Sequence, residues 1–330
     1  MDYESNIIAF EIAEFLNGND DFLITSHYSP DGDNIGASTS LYVLLREMGK
    51  EVVFINRDKY PEKYNFIKPK NMKFYQREDF QKKHKFSNII TIDTADYHRI
   101  GEVSELIEQD AFIINIDHHY TNTMYGNLNF VLSDLASACE VLYLLLKETC
   151  IKINTEIAYC LYAGMLSDTG GFRFKTTKAA ELKIASELAE YGIDLSLLMN
   201  EIFFYKSHKE VVSYARAISK IKLYPELHTA VLYHDELTDP LTEHDPVMEA
   251  MDSIKESKIN LYVRNIANGK LRLSLRSKCD FNAAEFLSKY GGGGHKAAAG
   301  MFYEGNWDDF KSDFLLLLFD EIDKYLKQST

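Results

Sequence analysis

Two histidines directly behind an acid, at the end of an apolar run, are costly to place. In NIDHHYTN (115–122) the run FIINI (112–116) reads as a buried strand, and Asp117, His118 and His119 then follow in succession. Such groups cost free energy there unless something compensates them. Three other stretches carry side chains of the same kind. SHYSPDGDN (26–34) holds His27, Asp31 and Asp33 in one turn-forming loop, TIDTAD (91–96) holds Asp93, and MLSDTGGFRF (165–174) holds Asp168. A lone acid behind a strand is usually a helix cap, and a lone histidine is usually hydrogen-bonded structure. Four such places in one chain point instead to a shared cation. Converging carboxylates and imidazoles repel and resist burial, whereas two divalent ions turn them into a compensated site. Oxygen and imidazole ligands without thiolate suit manganese or another borderline divalent ion better than structural zinc. Two ions roughly 3.5–4 Å apart form a clamp for in-line phosphoryl displacement.

A second stretch, YGGGGHKAAAG (290–300), has a different chemistry. Gly291, Gly292, Gly293 and Gly294 let backbone N–H groups approach a ligand closely and form an anion-binding nest. His295 and Lys296 add donors at its rim. The stretch follows the arginine-bearing run LRLSLRS (271–277), and the two together read as a phosphate and base pocket. From 258 to 296 there are eight basic residues (Lys258, Arg264, Lys270, Arg272, Arg276, Lys278, Lys289, Lys296) against two acids, Asp280 and Glu285. Lysines of such a stripe are as often a solvated face as a site. Arg264 and Arg276, inside strand-like runs, are better site candidates.

The elements that must position these groups follow from periodicity. FLITSH (22–27), VVFIN (52–56), NIITID (88–93) and FIINID (112–117) are continuous apolar runs of the kind found in a sheet covered on both faces. Between the first two, Ile35, Leu41, Val43, Leu44 and Leu45 fit a helix ending at Gly49, and helices are expected at 137–149 and 155–165. This alternation predicts a doubly wound, mostly parallel α/β domain over residues 1–195, in which strand carboxyl ends face one crevice and distant ligands converge. Residues 196–224 read as a helical connector, the spacing from Leu195 to Leu223 being helical up to Pro225. Over 225–330 the character changes to α+β. TAVLYH (229–234), INLYVRN (259–265) and KLRLSLRS (270–277) are strand-like, with Asn268-Gly269 as a hairpin signal. Helices are expected at 282–289 and 307–326.

Bulk properties limit the partners. The chain has 330 residues, 46% hydrophobic and 26% charged, with a net charge of −14. That charge excludes tracking of long nucleic acid by a uniformly basic surface, but not a small phosphorylated ligand in a local pocket. MDYESNIIAF has no basic n-region or signal-type apolar core, and Leu315–Phe319 is too short to span a bilayer, so no membrane role is expected. Cys139, Cys150, Cys160 and Cys279 form no CxxC pair and are expected to be reduced and buried, which points to the cytoplasm.

In this order HYSPDGDNIG, IDTAD, NIDHH and LSDTGGFRF resemble the four motifs of the DHH phosphoesterases, and RSKCDFNAAEFLSKYGGGGHKAAAG resembles the DHH-associated C-terminal domain. The likeness spans nearly the whole chain. Within the family it is most similar to the nanoRNase type, bifunctional oligoribonucleases and 3′-phosphoadenosine 5′-phosphate phosphatases. The resemblance implies that His27, Asp31 and Asp93 hold one manganese ion, and Asp33, Asp93, His118 and Asp168 the other, with Asp93 bridging. It implies that Asp117 orients the imidazoles and that His119 faces the scissile phosphate and assists the leaving oxygen. Arg99 becomes a candidate phosphate contact. Arg264, Arg276, Gly291 to Gly294 and His295 would hold the far phosphate or base. The implied activity is manganese-dependent hydrolysis of short RNA to 5′-mononucleotides and of 3′-phosphoadenosine 5′-phosphate to AMP. A phosphodiesterase acting mainly on linear or cyclic dinucleotides is the alternative within the family. A non-catalytic nucleotide-sensing module is the alternative of another class, disfavoured by the complete ligand set. A homodimer stays open.

Overall fold

The computed structural model describes residues 3–329 apart from 82, 175, 176, 242 and 243. The chain forms two compact units, one ending at Tyr205 and the other beginning at Lys206.

In the first unit, six strands build one parallel sheet: β1 (Phe22–Ser26), β2 (Val52–Asn56), β3 (Phe74–Gln76), β4 (Phe86–Ile92), β5 (Ile107–Asp117) and β6 (Leu128–Val131), in the order β3-β2-β1-β4-β5-β6. Every residue of β1 and β2 is buried. Ile24 and Phe54 pack on one face, and Leu23, Val53, Ile55 and Ile89 on the other. That double burial is why these strands carry continuous rather than alternating apolar runs. The chain winds outward from β1 to β3, then crosses back to β4 and winds the other way. The order therefore reverses between β1 and β4, and a crevice opens at their carboxyl ends. The doubly wound fold expected from sequence is the fold found.

Helices α1 (Tyr3–Gly18), α2 (Gly32–Glu47), α3 (Ala138–Glu148), α4 (Thr155–Asp168) and α5 (Ala179–Ala189) accompany the sheet. Helix α2 starts where Asp31 caps it, its side chain accepting from Asn34 N. Helix α2 then lies against α4 through two glycines. A Cβ placed on Gly36 would come within 2.7 Å of Cys160 O, and one on Gly164 would overlap Cys139 Sγ and come within 3.2 Å of Asp33 Cα.

Sequence periodicity misplaces some elements. The short edge strands β3 and β6 and the helices α1 and α5 lack its signals. β5 begins at Ile107, five residues before the apolar run, through the polar stretch IEQDA. The segment 195–223 is not one helix. A turn at Leu195–Met199 and a π-helical turn at Asn200–Phe204 are followed by extended Tyr205, and Ser207 then opens a helix at His208–Ile218. The break has a cause visible in the chain: Ser207 and Glu210 form a capping box, a helix start rather than an interior.

The second unit has a mixed six-stranded sheet of β7 (Lys222–Tyr224), β8 (Thr229–Asp235), β9 (Ile259–Ala267), β10 (Lys270–Ser277), β11 (Gly293–His295) and β12 (Ala298–Glu304), in the order β11-β12-β10-β9-β8-β7. Among the described residues only β8 and β9 of this sheet pair in parallel. The hairpin β9–β10 turns at Asn268-Gly269 with Gly269 at φ +74°, as its sequence requires. One face carries Leu261, Val263, Leu271, Leu273 and Leu275 into a core with Phe310, Phe314 and Leu318. The expected final helix is two, Trp307–Ser312 and Phe314–Ser329. Among the described residues no helix is long and apolar enough to cross a membrane.

Gly164→Ala tests the α2–α4 contact. The added methyl must displace Cys139 or the backbone of Asp33, so the variant is expected to lose about 1–3 kcal/mol by urea unfolding.

Candidate metal centre

Each strand end at the topological reversal delivers a ligand-type group. Beyond β1, His27 is buried, and its Nδ1 pairs with the Tyr28 carbonyl at 2.8 Å. That turns Nε2 toward Asp93 Oδ2 at 3.2 Å and Asp31 Oδ2 at 4.0 Å. An imidazole whose other nitrogen is fixed by a carbonyl is oriented as metal ligands are. Asn56 holds this strand end by donating to Ser26 Oγ and the His27 carbonyl.

Beyond β4, Asp93 adopts φ +53°, yet its N–H still donates to Ile116 O at 2.9 Å. The backbone thus leaves the strand in a left-handed conformation that aspartate tolerates better than most residues. Its side chain is almost fully buried, with Oδ1 3.5 Å from His118 Nε2 and 3.5 Å from His119 Nδ1. Among the described residues that oxygen has no hydrogen-bond partner.

Beyond β5, His118 Nε2 stands 3.5 Å from Asp93, 3.6 Å from Asp168 and 3.9 Å from Asp33. Asp117 pairs with His119 Nδ1 at 2.8 Å and accepts from Asn122 at 2.5 Å. Of the two imidazoles, the one Asp117 bonds is that of His119. Behind it, Asn115 donates to Thr91 Oγ1, Thr94 O and Tyr125 OH, and Asn122 donates to Asn115, which ties the loop after β5 to the loop after β4.

Two helices complete the cage. Asp33, in the first turn of α2, accepts the N–H groups of Ala138 and Cys139 at the start of α3, at 2.5 and 2.9 Å. Asp168 ends α4, where a negative charge opposes the helix dipole and is stabilising only if a cation is near. Three sets of potential ligand atoms result, each within 4.8 Å: His27, Asp31 and Asp93; Asp33, His118 and Asp168; and Asp93, Asp117, His118 and His119. All six residues expected as ligands are thus brought together, with Asp93 between both halves. Asp31 serves two functions at once, Oδ1 capping α2 and Oδ2 turning toward His27.

The electrostatics fit cations. Burial opposes ionisation of Asp93, but contacts with His118 and His27 outweigh it and hold its carboxyl well below the usual range. Burial, with the charge of Asp93, pushes Asp33 up to about 7. Burial would lower His118, yet Asp93 and Asp33 raise it to about 10. A partnerless buried carboxylate oxygen, an imidazole facing three carboxylates and an acid ending a helix are the imbalances that divalent ions remove.

Arg99 lies beside this centre. Its carbonyl accepts the Tyr28 N–H, and its guanidinium lies 5.9 Å from the Tyr28 ring. Arg57, at 5.1 Å from the same ring, was not foreseen, although it directly follows the end of β2 and so had a strand-end signal.

In the second unit Arg276 and Gly291 to Gly294 line a concavity of about 520 Å³ together with Arg272, Ser274 and Phe302. His295, in β11, is exposed and faces Ala298. Arg264 is buried instead, bonded to Glu236 at 3.0 Å. His244 meets the same carboxylate at 3.2 Å. Arg272 belongs to the arginine-bearing run but was not singled out within it, and Phe302 carried no motif signal. Of the four free cysteines, Cys139 and Cys160 are buried as expected, but Cys150 is exposed, since it sits in the turn after α3.

A doubly wound unit with a carboxylate–imidazole cage at its reversal point, followed by a separate sheet-bearing unit, defines a two-unit metal-dependent phosphoesterase. Residues 21–165 match the DHH family N-terminal domain and residues 241–327 the DHHA1 domain. It is 29% identical to the bifunctional oligoribonuclease and PAP phosphatase NrnA of Thermus thermophilus, over 86% of this chain and 84% of that one. The enzyme of the same name from Bacillus subtilis is 28% identical over 91% and 94%. An exopolyphosphatase-related protein from Bacteroides fragilis shares the fold at a TM-score of 0.87 and 23% identity, covering 97% of this chain and 98% of that one.

One buried acid outside the cage makes a pH prediction. Burial pushes Glu140 from its ordinary 4.5 up to about 8, with the charge of Glu181 adding to the shift. The folded value lies above the unfolded one, so the protein loses stability as pH rises from 4.5 through about 8. Glu140→Gln removes that loss. Its urea midpoint relative to the unsubstituted protein should climb across this window, and a constant difference would contradict the assignment.

Proposed function

We propose that this chain hydrolyses short oligoribonucleotides to 5′-mononucleotides and dephosphorylates 3′-phosphoadenosine 5′-phosphate to AMP. The observation that carries this reading is the cage around the partnerless Asp93 oxygen, in a chain matching, over most of their length, relatives that bear both activities in their names. His27, Asp31 and Asp93 would hold one divalent ion, and Asp33, Asp93, His118 and Asp168 the other. Bound there, the ions supply the Lewis acidity that activates water and neutralises phosphoryl charge. Manganese is the reading that mixed carboxylate and imidazole ligands support.

The protein's own groups do the rest. Asp117 fixes His119 through Nδ1, which leaves Nε2 to deliver a proton to the departing ribose oxygen. Asn122 keeps Asp117 in position. Arg99 contacts a substrate phosphate from beside Tyr28. In the second unit Arg276, His295 and the Gly291–Gly294 backbone take a further phosphate or base, with Arg264, bonded to Glu236, supporting them from the neighbouring strand. Free cysteines agree with a reducing cytoplasm.

The test is release of mononucleotide from an end-labelled short RNA, followed by chromatography. Turnover is expected with manganese and not in excess chelator. Asp93→Ala should lower kcat/KM at least about a hundredfold. Tight RNA binding by the unsubstituted, manganese-loaded protein with no product formed would replace this reading by that of a sensing module. His119→Asn should lower kcat far more than it raises KM, since the group acts on the leaving oxygen.

A further inference from the structure

The second unit's sheet carries one rung of side chains that the glycine motif does not explain. His234 pairs in register with Arg264, Arg264 with Arg272, and Arg272 with Phe302. Residues paired in this way stand on the same face of a sheet. The rung carries guanidinium groups on two adjacent strands, with an imidazole on one side and an aromatic ring on the other. Its inner part is already compensated: Arg264 is buried and bonded to Glu236. Arg272 is different. It is exposed, and among the described residues it has no ion-pair partner. Phe302 is 54% exposed, with Arg272 Cζ 5.9 Å and Lys270 Nζ 4.9 Å from its ring centre.

Two steps along, the same face loses its side chains. Ser274 pairs with Gly300, and Gly300 with Gly293. Two steps further, Arg276 pairs with Ala298 and Ala298 with His295. One concavity therefore runs from Arg272 and Phe302, over a floor of serine and glycine, to Arg276 and the glycine run, and all of these line it. Arg272 and Arg276 are four residues apart on one strand, roughly 13 Å at the rise of a strand. That separation exceeds the reach between the two phosphates of one bisphosphorylated nucleoside.

We propose that Arg272 and Phe302 form a second nucleotide subsite, which takes the next nucleotide of an oligoribonucleotide whose first is held at Arg276 and the glycine run. This rests on the function proposed above. Phe302 offers a ring for a base to stack on, and Arg272 offers a guanidinium to a phosphate. Stacking on an exposed ring is indifferent to base identity, so the subsite reads length and not sequence. It favours substrates of several nucleotides over the bisphosphorylated nucleoside, which can occupy one end only.

The experiment compares Arg272→Gln and Phe302→Leu with the unsubstituted protein on a tetranucleotide and on 3′-phosphoadenosine 5′-phosphate, under manganese. Both substitutions are at exposed strand positions, and near-unchanged melting temperatures will show that they fold. The ratio of kcat/KM for the tetranucleotide to that for the bisphosphate is expected to fall about tenfold in each, through KM. Anisotropy binding of a labelled tetranucleotide to an Asp93→Ala protein should weaken by a similar factor when either substitution is added. An unchanged ratio with unchanged binding, or an equal loss on both substrates, would overturn the subsite. An unsubstituted protein inert toward both substrates would overturn the function itself, so the two failures read differently.

Discussion

A single carboxylate fixes the geometry of the first unit. Asp93 must leave β4 in a left-handed backbone conformation, stay buried, and present one oxygen toward His27 and the other toward His118 and His119. Such a conformation costs on the order of 1 kcal/mol, and persists only where neighbours over-determine it. Here they do. The Asp93 N–H is held by β5, and the loops on either side are joined by Asn115, Asn122 and Tyr125. The polar layer behind the cage is a frame that holds a strained acid where two ligand sets meet.

How much of this was legible depends on the range of the interaction. The central strands announced themselves, because burial on both faces requires unbroken apolar runs. The ligands stood out because their types contradict the strands they follow, at Asp93 and at Asp117 to His119. Edge strands β3 and β6 were not legible, being three and four residues long and set by pairing to β2 and β5 rather than by their own pattern. The break at Ser207 was legible, since its capping box is local, but the helical spacing around it masked the signal. Phe302 had no local signature, and Arg57 and Arg272, one at a strand end and one in an arginine-bearing run, had none that set them apart from their neighbours. What marks them is a neighbour across a strand or loop, a contact that only the folded chain reveals. Arg264 shows the same limit, since no sequence pattern tells that it will pair with Glu236.

The two units handle charge in opposite ways. The first concentrates acids, and its imbalance is relieved by cations. The second compensates its buried arginine internally and leaves Arg272 uncompensated at the surface. A net charge of −14 is compatible with a polyanionic substrate under these conditions, because attraction comes from a few aimed donors within a Debye length and not from the summed field.

Packing sets how closely the parts of the cage are held. Helices α2, α3 and α4 meet at Gly164, where a side chain would overlap Cys139 and press on Gly32 and Asp33. These three helices carry Asp33, the N–H groups that Asp33 accepts, and Asp168. The absence of one Cβ therefore sets the separation between two ligands on different helices and the donors that orient one of them. Asp33 is caught between these fixed donors, which favour its charge, and burial beside Asp93, which opposes it. A carboxyl poised near 7 is the outcome, ready to give up its proton when a cation arrives. The fold supplies this poise by close helix contact, so the chemistry of the centre is decided as much by a glycine as by its acids.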